Sequence, residues 1–196
     1  MLFLAMSTGL LVTVIVVPVV IVLIIAIVAW YISTKNKLIG ARNDMDESYS
    51  AMDVHMKKRY DLIPNLVETC KGYAKFESET LTGITQARSF AMSASPKDKA
   101  AAESALTSSL HTLLNAVREN YPELKANAQF NNLSAQLEQL EEEIARSRKY
   151  YNAKIKIMNN LIEKFPSSFV AARMHLERVP YFEIAEAERV APKVSF

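Results

Sequence analysis

Glycine is nearly missing from this chain, at four among 196 residues. Gly-rich phosphate loops and all-β folds built on tight turns both need more, so long helices are the expectation. Cysteine is rarer still. Cys70 stands alone, which excludes a disulfide within the chain and fits a reducing compartment. A surplus of one charge is lacking as well. The 23 Lys and Arg against 21 Asp and Glu leave +2, so no nucleic-acid partner is expected. The three histidines, His55, His111 and His175, are isolated from one another. None completes a Glu-x-x-His or His-Glu-x-x-His pattern, so neither a di-iron bundle nor zinc is indicated. With no G-x-S-x-G elbow either, the expectation is a protein that is not an enzyme and holds no metal or cofactor.

A further absence organises the chain. No Asp, Glu, Lys or Arg occurs from Met1 to Thr34, and all the charge follows. The run from Leu10 to Ile32 is interrupted only by Thr13 and Pro18. A membrane crossing needs about 20 apolar residues at about 1.5 Å rise each, and this stretch exceeds that. It lacks the basic start and short core of a cleaved signal peptide. Residues 1–34 are therefore expected to form a transmembrane helix with a short external tail, and residues 35–196 a cytoplasmic helical domain. Trp30 and Tyr31 fit the exit interface, and Lys35, Lys37 and Arg42 fix the cytoplasmic side by the positive-inside bias.

Beyond the run, apolar residues return every three or four positions. Tyr49, Met56, Ile63, Cys70 and Ile84 make one line, and Met52, Tyr60, Val67, Ala74 and Leu81 its companion. This pattern predicts one helix reaching "SFAMSASP", where Ser95 caps the next with Pro96 first and Asp98 in its first turn. Leu106, Leu110, Leu113, Leu114 and Val117 give that next helix one face. After a break at Pro122, a long packing stripe follows: Phe130, Leu133, Leu137, Leu140, Ile144, Tyr151, Ile155, Met158, Ile162 and Phe165. Continuous helix from Glu123 to Lys164 would be about 63 Å long. The fold class is all-α: a transmembrane helix followed by a long antiparallel helical bundle with coiled-coil-like stripes.

The remaining polar features have plain readings. Glu138, Glu141, Glu142 and Glu143 form a solvated face, with Glu142 and Arg146 in the favourable i,i+4 order. Lys57, Lys58 and Arg59 make an exposed basic run, and Cys70 is a core thiol. Pro64 interrupts a helical pattern. It removes one backbone donor and crowds the carbonyl of Tyr60 four residues back. A structural kink at Tyr60, Asp61, Pro64 and Asn65 is expected, with Asp61 and Asn65 bonding the freed backbone and Arg59 pairing with Asp61.

"RYDLIPNLVETCKGYAKFE", "YPELKANAQFNNLSAQLEQLEEEIARSRKYYN", "FPSSFVA" and "APKVSF" together resemble the bacterial LemA family, over about Asn36 to Phe196. The resemblance implies one N-terminal membrane helix and a cytoplasmic helical domain at the bacterial inner membrane. It implies no activity. Some members occur near membrane proteases, and one branch is linked to building membrane compartments. This chain departs from the family at Phe76, where His is common, so no histidine site arises there. It departs again at Met158 and at Cys70.

The function expected is a membrane-anchored, non-catalytic scaffold that self-assembles through the Tyr49–Ile84 and Leu133–Ile162 stripes into a homo-oligomer on the bilayer. The alternative is a small adaptor that presents a helical face or its C-terminal tail to another membrane protein, such as a protease. For that tail, Val194 and Phe196 are the candidate C-terminal ligand, since apolar-x-apolar ends suit PDZ-type strand addition. A stripe buried within one chain would favour the adaptor, and an exposed one the scaffold.

Overall fold

The computed structural model describes residues 12–72 and 78–183. Val194 and Phe196 therefore lie outside the described residues. A π-helical turn at Val12–Val16 leads into α1 (Val17–Lys71), followed by α2 (Ser78–Ser93), α3 (Lys99–Asn120), the short α4 (Pro122–Lys125), α5 (Ala128–Glu163) and α6 (Ser167–Arg173). No strand occurs among the described residues. They divide into two compact units, one of residues 12–45 and 156–179, the other of residues 46–155 and 180–183.

The larger unit is a helical bundle. Tyr49 meets Tyr151 edge-to-face at 5.4 Å between ring centroids, His55 Nδ1 lies 2.9 Å from Glu143, and Arg59 reaches Glu141. As numbers rise along α1 they fall along α5, so the two helices run antiparallel. The described residues of the expected stripes supply the core, while Ala74 of the companion line lies outside the described residues. Met52, Met56, Tyr60, Ile63, Val67, Cys70, Leu81 and Ile84 pack with Leu106, Leu110, Leu113, Val117, Phe130, Leu133, Leu137 and Ile144.

One helix reaching to "SFAMSASP" is corrected. Tyr60 takes contacts from Arg88 and Ala91. In continuous helix, residues 60 and 91 would stand about 46 Å apart. The chain instead ends α1 at Lys71, and α2 starts at Ser78 and returns alongside it. The apolar spacing survives because each helix keeps its own buried face, and a heptad count carries no mark of a reversal.

Two other boundaries shift for local reasons. Ser95 closes the turn before α3 but is not its cap: Asp98 holds the N-cap position, and Pro96 lies in the turn outside the helix. The Ser95 Oγ accepts from the Asp98 amide at 3.3 Å and donates to Asp98 Oδ2 at 2.6 Å, and regular helix begins at Lys99. The long helix starts at Ala128, because Asn127 Oδ1 accepts the Phe130 amide at 3.0 Å, the bond of an N-cap. Its 36 residues span about 54 Å, shorter than the 63 Å expected from sequence.

In the smaller unit, Leu38 of α1 packs with Val170 and Ala171 of α6, and Tyr31, Leu161, Ile162, Met174 and Leu176 close around them. The packing stripe stops short of Phe165, which lies past the end of α5 and is 88% exposed. Asn159 holds the chain after α6. Its amide accepts the Val179 N–H and donates to the Val179 carbonyl, both at 2.9 Å. In the larger unit Asn152 does the same for Phe182, at 2.9 and 3.1 Å.

Helix α6 ends in a Schellman motif. The Leu176 amide reaches the Ala171 carbonyl and the His175 amide the Ala172 carbonyl, each at 3.1 Å. His175 takes the left-handed position with φ 53°, where glycine carries no steric cost. His175→Gly is expected to raise stability by about 1 kcal/mol, read as a higher thermal midpoint of the full chain. A lower midpoint would show that the His175 side chain contributes more than its backbone costs.

Candidate functional site: a buried ion cluster

The bundle core contains charge. Arg59 is 1% exposed, which corrects its reading as part of an exposed basic run. It faces inward because Met52, Met56, Arg59, Ile63, Leu66 and Cys70 alternate steps of four and three on α1, and every one of them is buried. Its guanidinium donates to Glu103 and Thr107 of α3 and to Glu141 of α5, the Thr107 bond measuring 2.8 Å. The expected pairing with Asp61 is thereby replaced. Arg59 Nε is buried without a partner.

Neighbouring groups complete the cluster. The Tyr60 hydroxyl donates to Glu103, and burial, followed by that hydrogen bond, raises its pKa above the ordinary 10.0. It therefore stays a proton donor at physiological pH. Lys99 Nζ donates to the Ala91 carbonyl at 2.7 Å, satisfying the C-terminal turn of α2. The same ammonium lies 3.8 Å from Glu103 and 5.3 Å from the Tyr60 ring centroid. Two cations thus meet two carboxylates in one place. The arrangement balances charge and ties α1, α2, α3 and α5 together.

The kink residues are resolved differently from expectation. Helix α1 continues through Pro64 to Lys71. The Tyr60 carbonyl, which Pro64 deprives of its amide partner, accepts from Arg88 Nε of α2 at 2.7 Å. The second helix supplies the donor, so Asp61 and Asn65 are not the groups that bond it. Pro64 is exposed and borders a groove of 160 Å³ with Ile63, Val67, Glu68, Lys71, Thr85 and Arg88.

Among the acidic residues, Glu142 does pair with Arg146, at 3.6 Å, on an exposed face. Glu138 pairs with Arg118 of α3, while Glu141 and Glu143 turn toward Arg59 and His55. The solvated face is therefore shared with contacts between helices. A shallow depression of 380 Å³ beside it is lined by Lys58, Asp61, Leu62, Gln136, Gln139, Leu140 and Glu143. Among the described residues no three His, Cys, Asp or Glu gather as a metal site.

Cys70 is fully buried, and burial pushes its thiol up to about 11. Native protein at neutral pH is expected to react slowly with a disulfide-exchange reagent, and denatured protein fast; equal rates would refute this burial. Above pH 9.0 the unfolded chain gives up a thiol proton that the folded chain retains until about 11. Unfolding is therefore favoured as pH climbs through that window, while below it neither state changes. A Cys70→Val variant should lose this part of the alkaline decline in melting temperature.

The fold and its core define a class: an all-helical protein with a buried ion cluster and, among the described residues, one helix long and apolar enough to cross a membrane. That helix has a mean hydropathy of 3.1 over its most apolar stretch, none of it covered by protein. A model of the LemA family matches residues 48–196, so the chain belongs to the LemA family. It is also similar to Protein LemA of Metamycoplasma hominis, 30% identical over 161 residues, covering 82% of this chain and 74% of the relative.

Proposed function

We propose that the chain is a single-pass membrane protein of the bacterial inner membrane, a non-catalytic adaptor whose apolar stretch spans the bilayer and whose helical units serve another membrane protein on the cytoplasmic side. The observation that carries the adaptor reading is where the stripes go. Phe130, Leu133, Leu137 and Ile144 are at most 7% exposed, buried against α1, α2 and α3 of the same chain. Those seams are occupied before a second copy arrives. The uncovered apolar stretch and the basic Lys35, Lys37 and Arg42 after it support the anchor and its orientation.

Self-assembly remains the second reading, on other surfaces. Val54, Phe90 and Tyr150 are exposed in the larger unit and offer apolar contacts outside the stripes. Light scattering of the full chain in detergent separates the two. One chain of 22.0 kDa per particle is expected for the adaptor. A large, uniform particle would reverse the order of the readings.

A further inference from the structure

In the smaller unit, protein cover on α1 begins where the apolar run ends. Residues 13–30 are all exposed, Tyr31 is half-buried, and Thr34 and Leu38 are buried. The cover comes from the other end of the chain. Leu161 and Ile162, in the last turn of α5, and Val170 and Ala171 of α6 pack around Leu38, with Tyr31 in the same cluster. The turn between α5 and α6 thus lies beside the segment of α1 that leaves the apolar run.

That turn is unlike an ordinary polar helix connection. Phe165 is 88% exposed and Phe169, four residues on, is 65% exposed. Single exposed apolar residues are common, but two large aromatics on one helical connection are unfavourable in water. Lys164 and Arg173 flank them and are exposed. The adjoining Glu163 is engaged by Arg178 at 3.3 Å. Exposed aromatic rings beside basic groups, next to the end of a span, have the composition of a membrane-interface anchor.

We infer that the α5–α6 turn is a second membrane contact, in which Phe165 and Phe169 enter the headgroup layer while Lys164 and Arg173 face lipid phosphates. The inference rests on the reading of residues 13–32 as a membrane span. It makes the smaller unit a collar around the exit of that span: Val170 and Ala171 grip Leu38, and the two phenylalanines lie in lipid. The bilayer is the occupant because Tyr31, at the end of the apolar run, packs in one cluster with Leu161 and Ile162 before the turn and Val170 and Ala171 after it. Anionic phosphates suit the flanking lysine and arginine.

Fluorescence decides it, because Trp30 is the only native tryptophan. In a Trp30→Phe background, Phe165→Trp, Phe169→Trp and, as the span control, Leu23→Trp proteins are reconstituted separately into vesicles of phosphatidylcholine and phosphatidylglycerol. Two sets of matching vesicles carry bromine on the acyl chain, one near the headgroup to read the two phenylalanine positions and one near the chain end to read Leu23→Trp. The Phe165→Trp and Phe169→Trp proteins are expected to show blue-shifted emission and to lose most of their intensity in brominated vesicles. Water-like, unquenched emission from both, with the Leu23→Trp protein quenched, would overturn the inference and leave the span intact. Blue-shifted but unquenched emission that reverts on dilution in the membrane would overturn it in favour of contact between copies. An unquenched Leu23→Trp protein would remove the span, and the inference with it. Both phenylalanines are exposed, so circular dichroism should show unchanged helix content in each variant.

Discussion

Arg59→Ala is expected to destabilise the bundle by about 3–5 kcal/mol, the usual consequence of removing one partner from a buried ion pair. The cost comes from what stays behind. Glu103 is 5% exposed and would keep only Lys99, at 3.8 Å, as a charge partner, and Glu141 would keep the Thr107 hydroxyl, at 3.3 Å, but no cation. Chemical denaturation of the full chain in detergent, followed by circular dichroism, measures the loss. A variant that removes both members of the closest pair, Arg59→Met with Glu103→Gln, should recover part of it, since glutamine still accepts from Tyr60 and the cluster is left with one cation, Lys99, and one carboxylate, Glu141. A loss under about 1 kcal/mol for Arg59→Ala would mean that water reaches the cluster and that its charges matter little. Recovery in the double variant would identify the Arg59–Glu103 pair as a device for pairing helices in one register, because the stability would then not depend on that pair's charge.

The second large effect concerns Pro64 and Arg88. Arg88→Leu should cost about 1–3 kcal/mol by leaving the Tyr60 carbonyl without a donor in a partly buried place. In a Pro64→Ala background the same change should cost distinctly less, because alanine restores the amide that the carbonyl lost. The coupling between the two positions in a double-mutant cycle is the readout, and additive losses would show that Arg88 does not stand in for the missing amide. Pro64 then has a bottom-up explanation. A proline in a long helix is tolerated here because the next helix carries a side chain long enough to reach the orphaned carbonyl, at 2.7 Å.

Much of this was open to reading in the sequence. The uncharged stretch before Lys35, the stripes on α1, α3 and α5 and the pair Glu142–Arg146 all follow from spacing along one chain, because a helix fixes which residues share a face. The ion cluster carried a signal of the same kind. Arg59 falls on the α1 stripe between Met56 and Ile63. Lys99 and Glu103 fall on the α3 line that continues through Leu106, Leu110, Leu113 and Val117. A charge at a stripe position is a candidate for burial. Read as part of the run Lys57-Lys58-Arg59, the arginine looks solvated, and the stripe is the stronger guide because periodicity decides which way a side chain points.

The sequence by itself determined the helical class, the apolar stretch and the faces each helix buries, since these depend on neighbours within about one or two helical turns. Only the tertiary structure decided the rest. The reversal between Lys71 and Ser78, the meeting of Arg59 with Glu103 and Glu141, the donor that Arg88 lends to Tyr60 and the placing of α6 against Leu38 all join residues far apart in the chain. Periodicity says that a face is covered; which helix covers it is set by packing and by the pairing of buried charge, and those are properties of the assembled bundle.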